Sequence, residues 1–232
     1  MNIKTLSPSP EASTQDASAT QRAYLAIRRM IVVGELPPGE KLKIDSLRSM
    51  LDTGASPIRE ALSLLTSDQL VERIDQRGFR TAATSLENFE EILALRCSLE
   101  DMALRQSIAN ASEQWEESLV LSHHRMVRES RDNIERFEER HKAFHMALLD
   151  NCGSSILLRF CSQLYDLNIR YRYLAGKSLN YQKKRDVSKE HEDILNAAIE
   201  RNADLASERL LNHYRQTGAF LTGLFSTASE QR

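Results

Sequence analysis

Between Thr20 and Ala82 the hydrophobic period changes from helical to alternating, and the punctuation between segments leaves few folds open. Tyr24, Ile27 and Ile31 recur at three- and four-residue steps, with Arg22, Arg28 and Arg29 off that stripe, which predicts an amphipathic helix. Gly34-Glu35-Leu36-Pro37-Pro38-Gly39 stops it and turns the chain. A short helix over Ile44 to Leu51 follows, anchored by Leu47 and Leu51. Asp52-Thr53-Gly54-Ala55 is short and holds a glycine, as a tight helix-turn-helix link requires. Ser56 is placed to cap the next helix, and Pro57 falls in its first turn, where a missing N–H costs little. Ile58, Leu62 and Leu65 form the inward stripe of that helix and leave Arg59 off it, near the start.

Val71-Glu72-Arg73-Ile74 and Phe79-Arg80-Thr81-Ala82 flank Asp75-Gln76-Arg77-Gly78, which reads as a β-hairpin with Arg77 at its tip. Three helices followed by a hairpin predict a winged helix-turn-helix over residues 20–82. In such a domain the second helix of the pair offers its N-terminal residues to the major groove, and the wing follows the backbone or minor groove.

Charge neither supports nor opposes a nucleic-acid partner. The chain carries −2 overall, while Arg22 to Ala82 holds ten Lys and Arg against eight Asp and Glu. No run of about 18 apolar residues occurs, so no membrane span is expected. Residues 1–19 are rich in Ser, Thr, Ala and Pro and read as a disordered leader, not a signal peptide. Cys97, Cys152 and Cys161 are irregularly spaced, forming neither a disulfide framework nor a zinc ribbon, which suits the cytoplasm.

Beyond Ala82 only helical periods appear. Thr84-Ser85-Leu86-Glu87 is a capping-box pattern opening a helix that runs to about Ile108. Further helices are expected near Glu113–Glu129, Asn133–Asp150, Ser155–Leu174, Val187–Arg201 and Ala203–Phe225, giving an all-α bundle over residues 84–227 and a tail at 228–232. The fold class is therefore mainly α. His141 and His145 stand four apart on one helix face, with His191 and His213 on two later helices. Four imidazoles converging in a bundle suit a divalent ion such as zinc or nickel. The competing reading is a set of satisfied polar groups in a partly buried core. His123 and His124, in a polar helix, read as surface residues.

The ordered stretch Gly34-Glu35-Leu36-Pro37-Pro38-Gly39, then Ser56-Pro57-Ile58-Arg59-Glu60-Ala61-Leu62, then Leu70-Val71 and Gly78-Phe79 resembles the GntR family of transcription regulators. The resemblance implies a homodimer on a palindromic double-stranded DNA operator, with Arg59 contacting DNA and Ser56, Pro57 and Gly78 close to it. One departure is Gly54-Ala55 where many members carry Ser-Arg, which leaves Arg48, Arg59 and Arg77 to carry more of the contact. Phe144-His145-x-x-Leu148, His191-x-x-Ile194 and His213 resemble the FCD sensor domain of the FadR subfamily over Thr84 to Thr227. That likeness implies a metal held by three His and an Asp, whose place is taken here by His141. Arg96-x-x-x-Glu100 resembles the position whose Arg faces the effector pocket. An Arg fork beside a metal favours a small hydroxy-, keto- or dicarboxylic acid, with Tyr165, Arg170, Arg172 and Asn196 as further candidate contacts. Gly54-Ala55-Ser56-Pro57 and Arg140-His141-Lys142-Ala143-Phe144-His145 resemble the branch containing the carbon-starvation-induced regulator, which implies a five-carbon dicarboxylate. Repression is the commoner outcome in the family.

The rival reading is a helical metal-dependent hydrolase, with Glu190, Glu192 or Glu100 as nominal base. It lacks a nucleophile elbow, a phosphate loop or a zincin motif. A non-enzymatic regulator is the expectation.

Overall fold

A computed structural model describes residues 18–75, 77–175 and 185–230. They form two compact units, one of residues up to Ile31 with Glu35–Ala82, the other of Val32–Gly34 with the residues from Ala83 on. The described residues are mainly α, with one small sheet among them, as the periods predict.

The first unit holds α1 (Ala19–Val32), β1 (Lys41–Leu42), α2 (Ile44–Leu51), α3 (Ala55–Ser67), β2 (Val71–Ile74) and β3 (Gly78–Thr81). Ile58, Ala61, Leu62 and Leu65 lie on one face of α3 and are fully buried, packed in a core with Ala23 and Ile27 of α1 and Leu47 of α2. Each such Leu or Ile stabilises the unit by about 1.5–3 kcal/mol on burial. The Tyr24 hydroxyl donates to Asp68 Oδ2 at 2.6 Å and ties α1 to the end of α3.

The sheet has three antiparallel strands in the order β1-β3-β2, with Leu42 opposite Phe79 and Val71 opposite Thr81. The hairpin was legible in the sequence. Strand β1 was not, because two residues cannot show an alternation. It is held by the buried Thr81, whose hydroxyl donates to the Pro37 carbonyl and accepts from the Glu40 amide at 2.9 Å.

One cap differs from expectation. Helix α3 opens at Ala55 with Gly54 as N-cap, and no side chain caps it. Asp52 takes a left-handed conformation (φ 42°) and closes α2 with its N–H on the Arg48 carbonyl, so the chain enters α3 before the Ser56 hydroxyl. Ser56 and Pro57 both fall in the first turn, where backbone N–H groups have no intrahelical acceptor.

The second unit is a bundle of α4 (Leu86–Ala109), α5 (Glu113–Arg128), α6 (Ile134–Leu149), α7 (Ser155–Ala175), α8 (Val187–Ile199) and α9 (Ala203–Glu230). Ser85, rather than Thr84, caps α4 by accepting from the Asn88 amide at 3.1 Å. Ser112, Asn133 and Asp186 cap α5, α6 and α8 in the same way. Leu104, Leu119, Phe144, Leu148, Cys161, Ile194 and Leu210 form its core. Helix α9 continues past residue 227 to Glu230. The leader as far as residue 17 and the last two residues of the expected tail lie outside the described residues. No helix among the described residues is long and apolar enough to cross a membrane.

Candidate functional site

Two surfaces carry the residues singled out in the sequence. In the first unit, α3 turns Ser56 and Arg59 outward while the Ile58–Leu62 stripe faces the core, and Pro57 is half-buried. Arg77 and Gly78 are exposed at the hairpin. Gly78 takes φ +95° with no atom within 4 Å of an added Cβ, so the turn selects glycine for its backbone conformation, not for space. Arg48 lies on the outer side of α2 and pairs with Asp45 Oδ1 at 3.2 Å, both side chains being well exposed. Exposed pairs of this kind hold by less than about 1 kcal/mol, so the guanidinium can exchange Asp45 for a phosphate at small cost.

In the second unit the four histidines converge. His141 and His145 rise one turn apart from α6, His191 comes from α8 and His213 from α9, and all four are buried. Their ligating nitrogens lie within 4.8 Å of one another, and His141 Nε2 is 3.1 Å from Nε2 of both His145 and His191. Adjacent nitrogens around a tetrahedral ion with 2.0–2.1 Å bonds stand about 3.3 Å apart, so the donor set is close to ligating geometry. Burial first, and the neighbouring imidazoles and arginines second, hold His141, His145 and His191 well below the ordinary imidazole pKa. His213 is also lowered by burial, against the pull of Glu190. The rings are therefore neutral, the form that binds a metal.

Three of the rings have an oxygen on the outer nitrogen, the arrangement that fixes a ligating tautomer. His141 Nδ1 is 2.6 Å from the Tyr165 hydroxyl, His145 Nδ1 2.9 Å from the Tyr214 hydroxyl, and His213 Nδ1 2.8 Å from Glu190 Oε2. Burial opposes ionisation of Glu190, but hydrogen bonds from His213 and Arg185 outweigh it and hold the carboxyl down at about 2.

A cavity of about 460 Å³ opens beside this cluster. Its apolar wall includes Phe89, Leu93, Phe137, Ile169 and Leu221. Its polar lining includes Arg96, Arg131, Glu138, His141, Tyr165, Asn168 and Arg172. Arg96 is buried and engaged: Nε donates to Glu100 Oε1 at 2.7 Å, Nη1 to Asn168 Oδ1 at 2.9 Å, and the guanidinium stacks over Tyr165 and Tyr214. Arg172 pairs with Glu138 Oε1 at 2.8 Å. Burial raises the Glu138 carboxyl, against the arginines beside it. Such a chamber, mostly apolar with a few convergent cations, accommodates a small anion. A more open depression of about 600 Å³ on α5 and α8 is lined by Glu113, Glu116 and Glu117, whose charge disfavours an anion.

Of the residues expected at the effector, Arg96, Tyr165 and Arg172 line the cavity. Arg170 is buried on α7 outside the lining, and Asn196 is exposed on α8. Asn168, Tyr214, Glu138 and Arg131 were not singled out. The signal was available for one of them: counting from Tyr165, the same face of α7 carries Asn168, Ile169 and Arg172, whereas Arg170 falls outside that spacing. His123, read as a surface residue, is half-buried with its ring 5.2 Å from that of Phe144.

Residues 19–80 match the model for bacterial regulatory proteins of the gntR family, and residues 91–216 match the FCD domain. The chain is 36% identical to the uncharacterized HTH-type transcriptional regulator BphR of Paraburkholderia xenovorans LB400, over 89% of this chain and 86% of that protein. It is 31% identical to the HTH-type transcriptional repressor GlaR of Escherichia coli K12, over 82% of this chain and 90% of that protein. The fold is shared with E. coli McbR/YncC, at a TM-score of 0.79 and 20% identity, over 90% of this chain and 99% of that one. These families are of regulators, not enzymes, which removes the hydrolase reading, and FCD domains are known to bind metals. The chain thus belongs to the GntR family, as a DNA-binding transcription regulator with an FCD domain.

Proposed function

We propose that this regulator is a cytoplasmic repressor whose FCD domain senses a small carboxylic acid beside a bound divalent metal, zinc or nickel. The observation that carries this reading is the convergence of four buried, neutral imidazoles on a cavity lined by arginines. His141, His145, His191 and His213 would hold the metal, which supplies a Lewis-acidic point for one oxygen of the acid. Arg96, Tyr165 and Arg172 would receive the rest of it, and the resemblance to the carbon-starvation-induced regulator branch favours a dicarboxylate of about five carbons. Arg170 and Asn196 would act only indirectly, given their places on α7 and α8. The repressor named among the relatives supports this sign of regulation.

DNA would be read by a homodimer on a palindromic operator, through Arg48, Ser56, Pro57, Arg59, Arg77 and Gly78. The acid acts by population shift, favouring the state of the dimer that does not bind the operator. The shift is limited to the acid's difference in affinity for the two states.

Gel-shift titration on the DNA flanking its own gene tests this, with and without C4 to C6 dicarboxylates. Specific binding should be released by one acid, and substitutions in the acid site should abolish that release while leaving operator binding intact. Arg59→Ala should lose specific binding and lower the salt slope by about one. Wild-type binding no tighter than to random DNA would overturn the proposal.

A further inference from the structure

Two of the four histidines are linked by hydrogen bonds to a carboxylate that an arginine holds in place. For His213 the carboxylate is Glu190, gripped by Arg185. For His145 it is Glu100, reached through a tyrosine. Arg96 Nε donates to Glu100 Oε1 at 2.7 Å, and the Tyr214 hydroxyl donates to Glu100 Oε2 while lying 2.9 Å from His145 Nδ1. Arg96, Glu100, His145 and Tyr214 are 5%, 1%, 1% and 4% exposed, so solvent competes little for these bonds.

Donor counting fixes the direction of the chain. An ionised carboxylate only accepts, and a phenol has one proton. If Tyr214 gave that proton to His145, Glu100 Oε2 would keep only Arg96 Nη2 at 3.4 Å, beyond good hydrogen-bond length. A bond to the charged carboxylate is roughly twice as strong as one to a neutral imidazole, so the proton goes to Glu100. The Tyr214 oxygen then accepts from His145, whose proton lies on Nδ1. That leaves the lone pair on Nε2, the atom 3.1 Å from His141 Nε2.

We infer that Glu100 and Tyr214 are positioning residues that fix His145 in its metal-ligating tautomer, and that Arg96 couples effector binding to metal loading through them. The inference rests on the metal and effector reading above. An acid that draws the Arg96 fork away from Glu100 changes the hold on Tyr214, and with it the hold on His145. By reciprocity, the factor by which the acid changes metal affinity equals the factor by which the metal changes acid affinity.

The test uses the full chain stripped of metal, with Co²⁺ and Zn²⁺ affinities measured by chelator competition. Tyr214→Phe should bind either ion about 10–100-fold more weakly than wild type, the usual effect of losing an outer partner. Tyr171→Phe, which deletes a hydroxyl bonded to Asn88 at 2.7 Å, should bind as wild type does. In a His145→Ala background, Tyr214→Phe should add no further loss. Nitrogen-15 shifts of the unmutated, metal-free protein should show His145 protonated on Nδ1. Undiminished affinity in Tyr214→Phe, an equal further loss without His145, or a proton on Nε2 would overturn the inference alone. A wild type that takes up neither ion would overturn the metal reading and this inference with it.

Discussion

Acidifying the metal-free protein should unfold its helical unit in a window set by the four histidines. An unfolded imidazole has a pKa of about 6.5, whereas burial and mutual repulsion hold the folded His141, His145 and His191 well below that and His213 below it. Below 6.5 the unfolded chain therefore binds protons that the folded chain refuses, and stability falls as pH falls. Between pH 7.5 and 5, a histidine that stays neutral in the fold loses about 2 kcal/mol, so the four together account for up to about 8 kcal/mol. Glu138, raised by burial, works in the opposite direction by at most one proton. Glu190 contributes stability above the usual carboxylate range that is lost only as pH falls toward 2, outside this window. Set against a typical total of about 5–15 kcal/mol, the loss is enough to unfold the unit near pH 5. Trp115 is the only tryptophan, buried in the bundle with its indole N–H on the Ala147 carbonyl at 2.8 Å, so its emission reports this unit alone. Urea titrations followed at Trp115 should show stability falling by several kcal/mol between pH 7.5 and 5, and His191→Gln should remove about a quarter of that slope. Zinc at 1,000 times its Kd should add about 4 kcal/mol near neutral pH. Stability that is flat over this range, or that falls by less than one histidine's share, would refute the reasoning.

Three further outcomes follow from the packing. Arg96→Met strands Glu100, which is 1% exposed, as an unpaired buried charge; it should cost about 3–5 kcal/mol and lower the melting temperature of the bundle, while Arg96→Met with Glu100→Leu recovers most of the loss. Phe144→Ala removes a fully buried ring packed on His145 and His191; thermal melts should show a loss of about 3–5 kcal/mol, and chelator competition a weaker metal site. Gly218→Ala places a methyl against the Leu93 side chain, which moves into the cavity; calorimetry should find weaker acid binding with little change in melting temperature.

The chain's own periodicity determined most of the architecture. Helices α4 to α8 lie within about two residues of the spans read from apolar spacing and caps, because each has a polar residue at its start and a stripe that ends where the chain turns. The pairing of His141 with His145 was equally local, since four residues on a helix make one turn. The misses were of another kind. Gly54 replaced Ser56 as the cap because the left-handed Asp52 shortened the turn, and β1 exists only because Thr81 and β3 offer it partners. Local sequence carries neither fact.

The site itself divides along the same line. Residue type and helix register marked the four histidines, while Arg96 was marked by its resemblance to the FCD effector position. Which other side chains surround them was decided by the tertiary fold, since further partners come from distant positions: Arg96 with Asn168, His141 with Tyr165, and Glu100 with Tyr214. Helix spacing excludes Arg170 from the face of Tyr165, but it cannot bring Tyr214 to Glu100. Crossing helices bury these groups together, and a buried polar atom must find a partner there or pay its full desolvation. That requirement, imposed by packing and invisible in the order of residues, turned separate ionisable side chains into one hydrogen-bonded site.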